Sequence, residues 1–310
     1  MGGKDTKWKC VSYGAIYDAR AENWMSLPNN MLEARCECSV VAKGKYVYVI
    51  GGTNADDTCL KTVYRLSLET YQWTAVAPMS TKRADFAVAL QGDYTYVFGG
   101  VGNTGYMLAS AERYSIADDT WEALPEMAEK RAEHCAVPAL LGNAIYIVGG
   151  YGNCSLELFD TALNGWKCDR HLNGIPECRN YGAAVMLEDR YLVLIGGFNE
   201  TKTAVASCCI YDCIFNQWAI SAPKSIDMST VRARHTAAVL DGKIIVAGGE
   251  CQIKRLSSME FIQIRDLLEF APLIHPLPTL YFNQILQIMK SNYYYREVAG
   301  NGDAHAVGVD

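Results

Sequence analysis

Short apolar runs bounded by polar turns recur along the whole chain. Residues 46–50, 145–148, 191–195 and 244–247 are almost wholly apolar, the pattern of a strand covered on both faces. Each run ends in a glycine pair. The pairs fall at 2–3, 51–52, 99–100, 149–150, 196–197 and 248–249, in steps of 49, 48, 50, 47 and 52 residues. Polar or glycine-bearing turns at 43–45, 91–93, 141–143, 188–190 and 241–243 precede the runs, as in a β-hairpin. An aromatic follows each pair: Tyr17, Tyr64, Tyr114, Phe159, Tyr211 and Phe261. Then comes Trp24, Trp73, Trp121, Trp166 or Trp218, with Leu268 in the sixth tryptophan slot. An arginine opens the next unit: Arg35, Arg83, Arg131, Arg179 and Arg234. The pattern predicts four strands per unit, a to d. Its aromatic plates suit the gaps between neighbouring sheets, so they are expected in the core.

A period near 50 with this punctuation resembles the kelch repeat, one propeller blade per unit, over residues 1–273. The resemblance implies an all-β, six-bladed kelch β-propeller with four-stranded antiparallel blades, the first blade closed by N- and C-terminal segments. A single propeller is expected over 1–298, with repeats at about 1–34, 35–82, 83–130, 131–178, 179–233 and 234–278. Gly3 lies 21 residues before Trp24, as Gly52 does before Trp73. Met1 therefore stands at the end of a strand b that is mostly missing. The chain reads as the C-terminal part of something longer, or as an array whose first blade is completed from elsewhere. Residues 279–289 and 293–298 are expected to supply degenerate closing strands beside 12–17; the spacing within 285–289 would also suit a short helix. Residues 299–310 read as a loose tail. Met1-Gly2 with Thr6 matches a myristoylation pattern, and the repeat's glycine pair accounts for the same letters.

The chain has 310 residues, half of them apolar, and a formal net charge of -6. That balance argues against nucleic acid or an anionic membrane as the main partner. No apolar run of about 18 residues predicts a membrane span. The N-terminus has no apolar signal core, so a cytoplasmic location is expected. Twelve cysteines are present without a Cys-x-x-Cys pair. The groupings Cys36/Cys38, Cys168/Cys178 and Cys208/Cys209/Cys213 therefore read as thiols in a reducing compartment, and their spacing does not suit zinc.

No catalytic constellation is visible, so no enzyme activity, cofactor or metal is predicted. Five histidines are present, with no zinc motif, and there is no nucleophile elbow or phosphate-binding loop. The phrases Tyr17-Asp18, Leu27-Pro28 and Ser110-Ala111-Glu112-Arg113-Tyr114 resemble the propellers of BTB-kelch proteins. That resemblance implies a non-catalytic module that captures a protein, the substrate-recognition propeller of a ubiquitin ligase adaptor. The BTB and BACK parts that would hold a cullin are absent from this chain. The alternatives are an actin-binding kelch protein and a sugar-active kelch enzyme. The b–c loops and d–a connections of an up-and-down blade share one face, which is expected to bind the protein ligand. The resemblance places there the second residue after each opening arginine: Glu37, Asp85, Glu133, Tyr181 and Thr236. His134 and His235 are expected beside them. Two long connections, 167–178 with Asp169 and His171 and 224–232 with Asp227, are read as a rim. Three acidic residues in successive blades favour a basic partner segment; ordinary solvated surface charge reads the same way.

Overall fold

The computed structural model describes residues 1–5, 7–139, 143–167, 172–219, 226–252 and 254–270. A two-stranded ribbon comes first, β1 (Ala15–Asp18) against β2 (Asn23–Ser26). Four four-stranded antiparallel blades follow. Blade I is β3 (Ser39–Lys43), β4 (Tyr46–Ile50), β5 (Val63–Ser67) and β6 (Trp73–Val76). Blade II is β7 (Ala87–Gln91), β8 (Tyr94–Phe98), β9 (Ala111–Ser115) and β10 (Thr120–Leu124). Blade III is β11 (Cys135–Ala139), β12 (Ala144–Val148), β13 (Leu156–Asp160) and β14 (Gly165–Trp166). Blade IV is β15 (Ala183–Leu187), β16 (Tyr191–Ile195), β17 (Cys208–Asp212) and β18 (Gln217–Trp218). Blade V has three strands, β19 (Thr236–Leu240), β20 (Lys243–Ala247) and β23 (Met259–Gln263). Its loop carries a small ribbon of β21 (Glu250–Cys251) and β22 (Lys254–Arg255). Helix α1 (Ile264–Phe270) ends the described chain.

Each blade's first strand lies against the next blade's first strand, β3 by β7, β7 by β11, β11 by β15 and β15 by β19. These strands therefore line the axis. Alternation along each second strand then decides which joint a side chain fills. Tyr96 and Phe98 of β8 pack with Ile145, Ile147 and Phe159 of blade III. Val97, between them, packs with Tyr48 and Ile50 of blade I. Tyr146 and Val148 of β12 likewise face Leu192, Leu194 and Tyr211 of blade IV.

The opening arginines are the second fastening. Arg83 is fully buried; its Nη1 donates to the carbonyls of Gly99 (2.6 Å) and Ser110 (3.0 Å), and its Nη2 to Glu112 Oε1 (2.8 Å). Arg131 repeats the arrangement on Gly149, Ser155 and Glu157. The guanidinium binds the carbonyl of the first glycine in a pair whose backbone is forced into positive φ. At Gly99, φ is +59° and an added Cβ would sit 2.4 Å from the Arg131 carbonyl, so no side chain fits.

Three expectations change. Among the described residues there are five blades, not six: the expected sixth is represented there only by the β1–β2 ribbon, and its expected closing strands in 279–298 lie outside the described residues. Leu268 does not occupy a fourth strand in blade V; it lies on α1 and packs against the last core cluster. Phe261 is 48% exposed rather than core, because no further blade covers that side of β23 among the described residues. No helix among the described residues is long and apolar enough to cross a membrane.

Candidate functional site

A cavity of about 880 Å³ opens where the b–c loops and the connections between blades converge around the axis. Its floor is one repeated position. Glu37, Asp85, Glu133, Tyr181 and Arg234 all have positive φ, between 51° and 62°. Their backbones form a relay: Asp85 N–H donates to Glu37 O (3.1 Å), Glu133 to Asp85 (2.8 Å), Tyr181 to Glu133 (2.9 Å) and Arg234 to Tyr181 (2.8 Å). The left-handed turn costs roughly 1–3 kcal/mol at each non-glycine residue; the relay offsets it and aims each side chain at the opening.

The relay corrects the last repeat. Its buried arginine is Arg232, whose Nη1 reaches Gly248 O at 2.9 Å, not Arg234. Arg234 takes the place assigned to Thr236, which instead begins β19 opposite Ala247. Spacing carried the signal: arginine and glycine are 16 residues apart in blades I, II and V, and counting back from Gly248 gives Arg232.

The acidic trio does come together, but with partners. Lys4 Nζ pairs with Glu37 Oε1 at 2.8 Å. Tyr181 Oη donates to Asp85 Oδ2 at 3.1 Å, and Asn180 donates to Glu133. The Arg234 guanidinium lies 3.5 Å over the Tyr181 ring and pairs with Glu250 at 2.9 Å. Arg255 stacks on Trp8 and donates to the Lys4 carbonyl at 2.7 Å. Arg255 is expected on the b–c loops of this face and Arg234 is read as a blade-opening arginine, whereas the sequence reading missed Lys4, Trp8 and Glu250, which sit on a b–c loop or the N-terminal turn, where the repeat pattern is weakest. The mouth thus carries carboxylates on blades I to III, with Lys4 paired to Glu37, and two guanidiniums on blade V, with Glu250 paired to Arg234. Burial, reinforced by Glu37, pushes the Asp85 carboxyl up to about 7. Burial and the Asp85 charge raise the Tyr181 phenol, so it stays neutral and donates.

His134 and His235 line the cavity but are packing residues, 7% and 8% exposed. Each ring presses on a glycine pair, His134 Cε1 at Gly99 and His235 Cε1 at Gly196, where Phe86 presses on Gly51. Burial lowers them to about 3 and about 4, so both are neutral. Asp227 lies away from the mouth and accepts the Cys208 N–H at 3.1 Å. Asp169 and His171 lie outside the described residues. Two of the grouped cysteines gain partners that sequence spacing does not bring together: Cys10 lies beside Cys36 and Cys154 beside Cys178, with Cα atoms 5.2 and 4.5 Å apart.

A protein-family model described as the Attractin/LZTR1 β-propeller matches residues 1–255. A RING finger domain and kelch repeat-containing protein of Dictyostelium discoideum is 33% identical over 86 residues, 28% of this chain and 8% of its own length. Kelch-like protein 40 of Mus musculus is 33% identical over 131 residues, 40% of this chain and 20% of its own. The chain therefore spans a small part of these relatives. With kelch punctuation, radial antiparallel blades and a match over most of its length, this chain belongs to the Attractin/LZTR1 β-propeller family.

Proposed function

We propose that this propeller is a non-catalytic protein-recognition module that takes a partner segment into the mouth of its axial channel. The observation that carries the reading is a cavity large enough for several side chains, lined by Glu37, Asp85 and Glu133 on one side and Arg234 and Arg255 on the other, and built by the same turn in each of the five blades. The acidic side, Glu37, Asp85 and Glu133, suits a lysine or arginine of the partner. Arg234 and Arg255 on the opposite side suit a neighbouring carboxylate. Complementarity of this kind sets specificity and association rate more than raw affinity.

Displayed peptides of varied charge, selected on the immobilised propeller, test it. Segments with a basic residue should be enriched, and Glu37→Lys, Asp85→Lys and Glu133→Lys together should abolish capture. Enrichment that ignores charge, or capture that survives the reversal, overturns the reading. The milder Asp85→Asn separates lost charge from misfolding.

The finer form of the proposal is substrate recognition for a ubiquitin ligase, with a cullin or RING partner held by sequence outside this chain. The names of the two relatives support it. Co-precipitation of a cullin with the full gene product, and not with this propeller alone, is the expected result. Co-sedimentation of the propeller with actin filaments, at a stoichiometry insensitive to the charge reversal, would replace this reading with a cytoskeletal one.

A further inference from the structure

We infer that Cys10–Cys36 and Cys154–Cys178 are interblade disulfide crosslinks that pin the channel mouth. The Cα separations, 5.2 and 4.5 Å, lie within the range a disulfide spans. The paired residues are 26 and 24 positions apart. In each pair one partner sits on the b–c loop of one sheet and the other on the connection into the next. Cys10 bridges Lys4 beside the N-terminal ribbon, and Cys36 enters blade I. Cys154 follows the glycine pair of blade III, and Cys178 immediately precedes the buried Arg179 of blade IV.

The location matters because each connection carries a mouth residue. Cys36 precedes Glu37, and Cys178 lies three residues before Tyr181. Cys36 is 1% exposed and Cys178 is 8% exposed, so a formed bond is shielded from reductant. Formation is thiol–disulfide exchange: two cysteine thiols and one oxidant disulfide give the protein disulfide and two oxidant thiols. A small-molecule or oxidoreductase disulfide accepts the electron pair, and the two thiol protons pass to the departing sulfurs.

The joint between blades I and II is an internal control. Cys59 bridges Thr53 as Cys10 bridges Lys4, and Ala84 bridges Val101 as Cys36 bridges Thr53. The Cys59 Sγ lies 3.4 Å from the Val101 carbonyl oxygen, as the Cys10 Sγ lies 3.6 Å from that of Thr53. Half of the crosslink is therefore present there, and Ala84→Cys should complete it.

The test uses the full chain refolded in a glutathione redox buffer, then denatured and alkylated with N-ethylmaleimide without reduction. Non-reducing peptide mapping should show the two crosslinked pairs and label on the other eight of twelve cysteines. In Ala84→Cys a third pair, to Cys59, should appear. The wild type should melt several degrees higher without reductant than with it. That difference should shrink in Cys10→Ala/Cys36→Ala and in Cys154→Ala/Cys178→Ala, and be absent when the pairs are removed together. Label on any of the four paired cysteines in most molecules, or different pairings, overturns the inference. So does bound zinc with Cys154 and Cys178 as free thiols, because their sulfurs and the Glu200 carboxylate lie within 4.8 Å of one another. A melting temperature indifferent to reductant removes the stapling role.

Discussion

At the scale of single residues, one turn position does different jobs in different blades. The residue after each mouth residue packs on a glycine pair, and Phe86, His134 and His235 all serve there. An imidazole in a phenyl site has a pH cost. His134 and His235 titrate at about 3 and about 4 in the folded chain, against 6.5 when free. The unfolded chain therefore binds more protons between those limits, and stability falls as pH drops from about 6.5 towards 4. His134→Phe should leave neutral-pH stability within about 1.5 kcal/mol, the usual cost of a volume-conserving swap, and flatten this acid limb in urea titrations. Asp85 has the opposite sign: its carboxyl titrates at about 7 rather than 3.8, because of burial and Glu37. The folded state holds that proton more tightly, so stability declines as pH rises from about 4 to about 7. Asp85→Asn should remove that decline without loss of stability at pH 8. A basic partner should bind wild type more tightly as pH climbs through 7, when Asp85 ionises.

At the scale of the element, the blade is a hairpin stack fastened by one glycine pair and one buried arginine. Gly99→Ala meets both a positive φ and a carbonyl 2.4 Å from the new Cβ. It should cost more than the roughly 1 kcal/mol expected from φ alone. Gly92→Ala, at φ +60° with open space around it, should show only that smaller cost. Thermal melts of the two variants distinguish steric contact from backbone strain. Arg83→Ala leaves Glu112 buried without its cation, although burial already opposes the carboxylate and hydrogen bonds from Ser80 and Arg83 hold its pKa down. A loss of about 3–5 kcal/mol is expected in denaturant unfolding. Lys45→Ala, which removes a solvent-exposed pair with Glu69, should leave the midpoint unchanged.

At the scale of the whole molecule, position in the ring decides what a repeated residue contributes. The indoles of Trp73, Trp121, Trp166 and Trp218 each donate to a carbonyl of the preceding sheet's connection, at 2.8 to 3.1 Å. Trp24 fills the same slot in the first ribbon and is 54% exposed, against 6% for Trp218. Trp218→Ala should cost about 3–5 kcal/mol and Trp24→Ala distinctly less. Acrylamide should quench Trp24 before Trp218. The letters alone determined the repeat and the order of strands within blades I to IV, because glycine turns and period-two alternation are local properties of the backbone; burial of the plates held between complete sheets and failed at Trp24 and Phe261. The family resemblance, applied to a regular arginine, pointed to Glu37, Asp85 and Glu133, which do line the cavity. It placed the last mouth residue two positions late, because Arg232 and Arg234 look alike until one is seen on the Gly248 carbonyl. Tertiary structure alone decided the number of blades, the cations opposite the carboxylates and the cysteine pairing. Each depends on which distant segments meet around an axis, and the energy of such a meeting resides in the pair rather than in either stretch of chain.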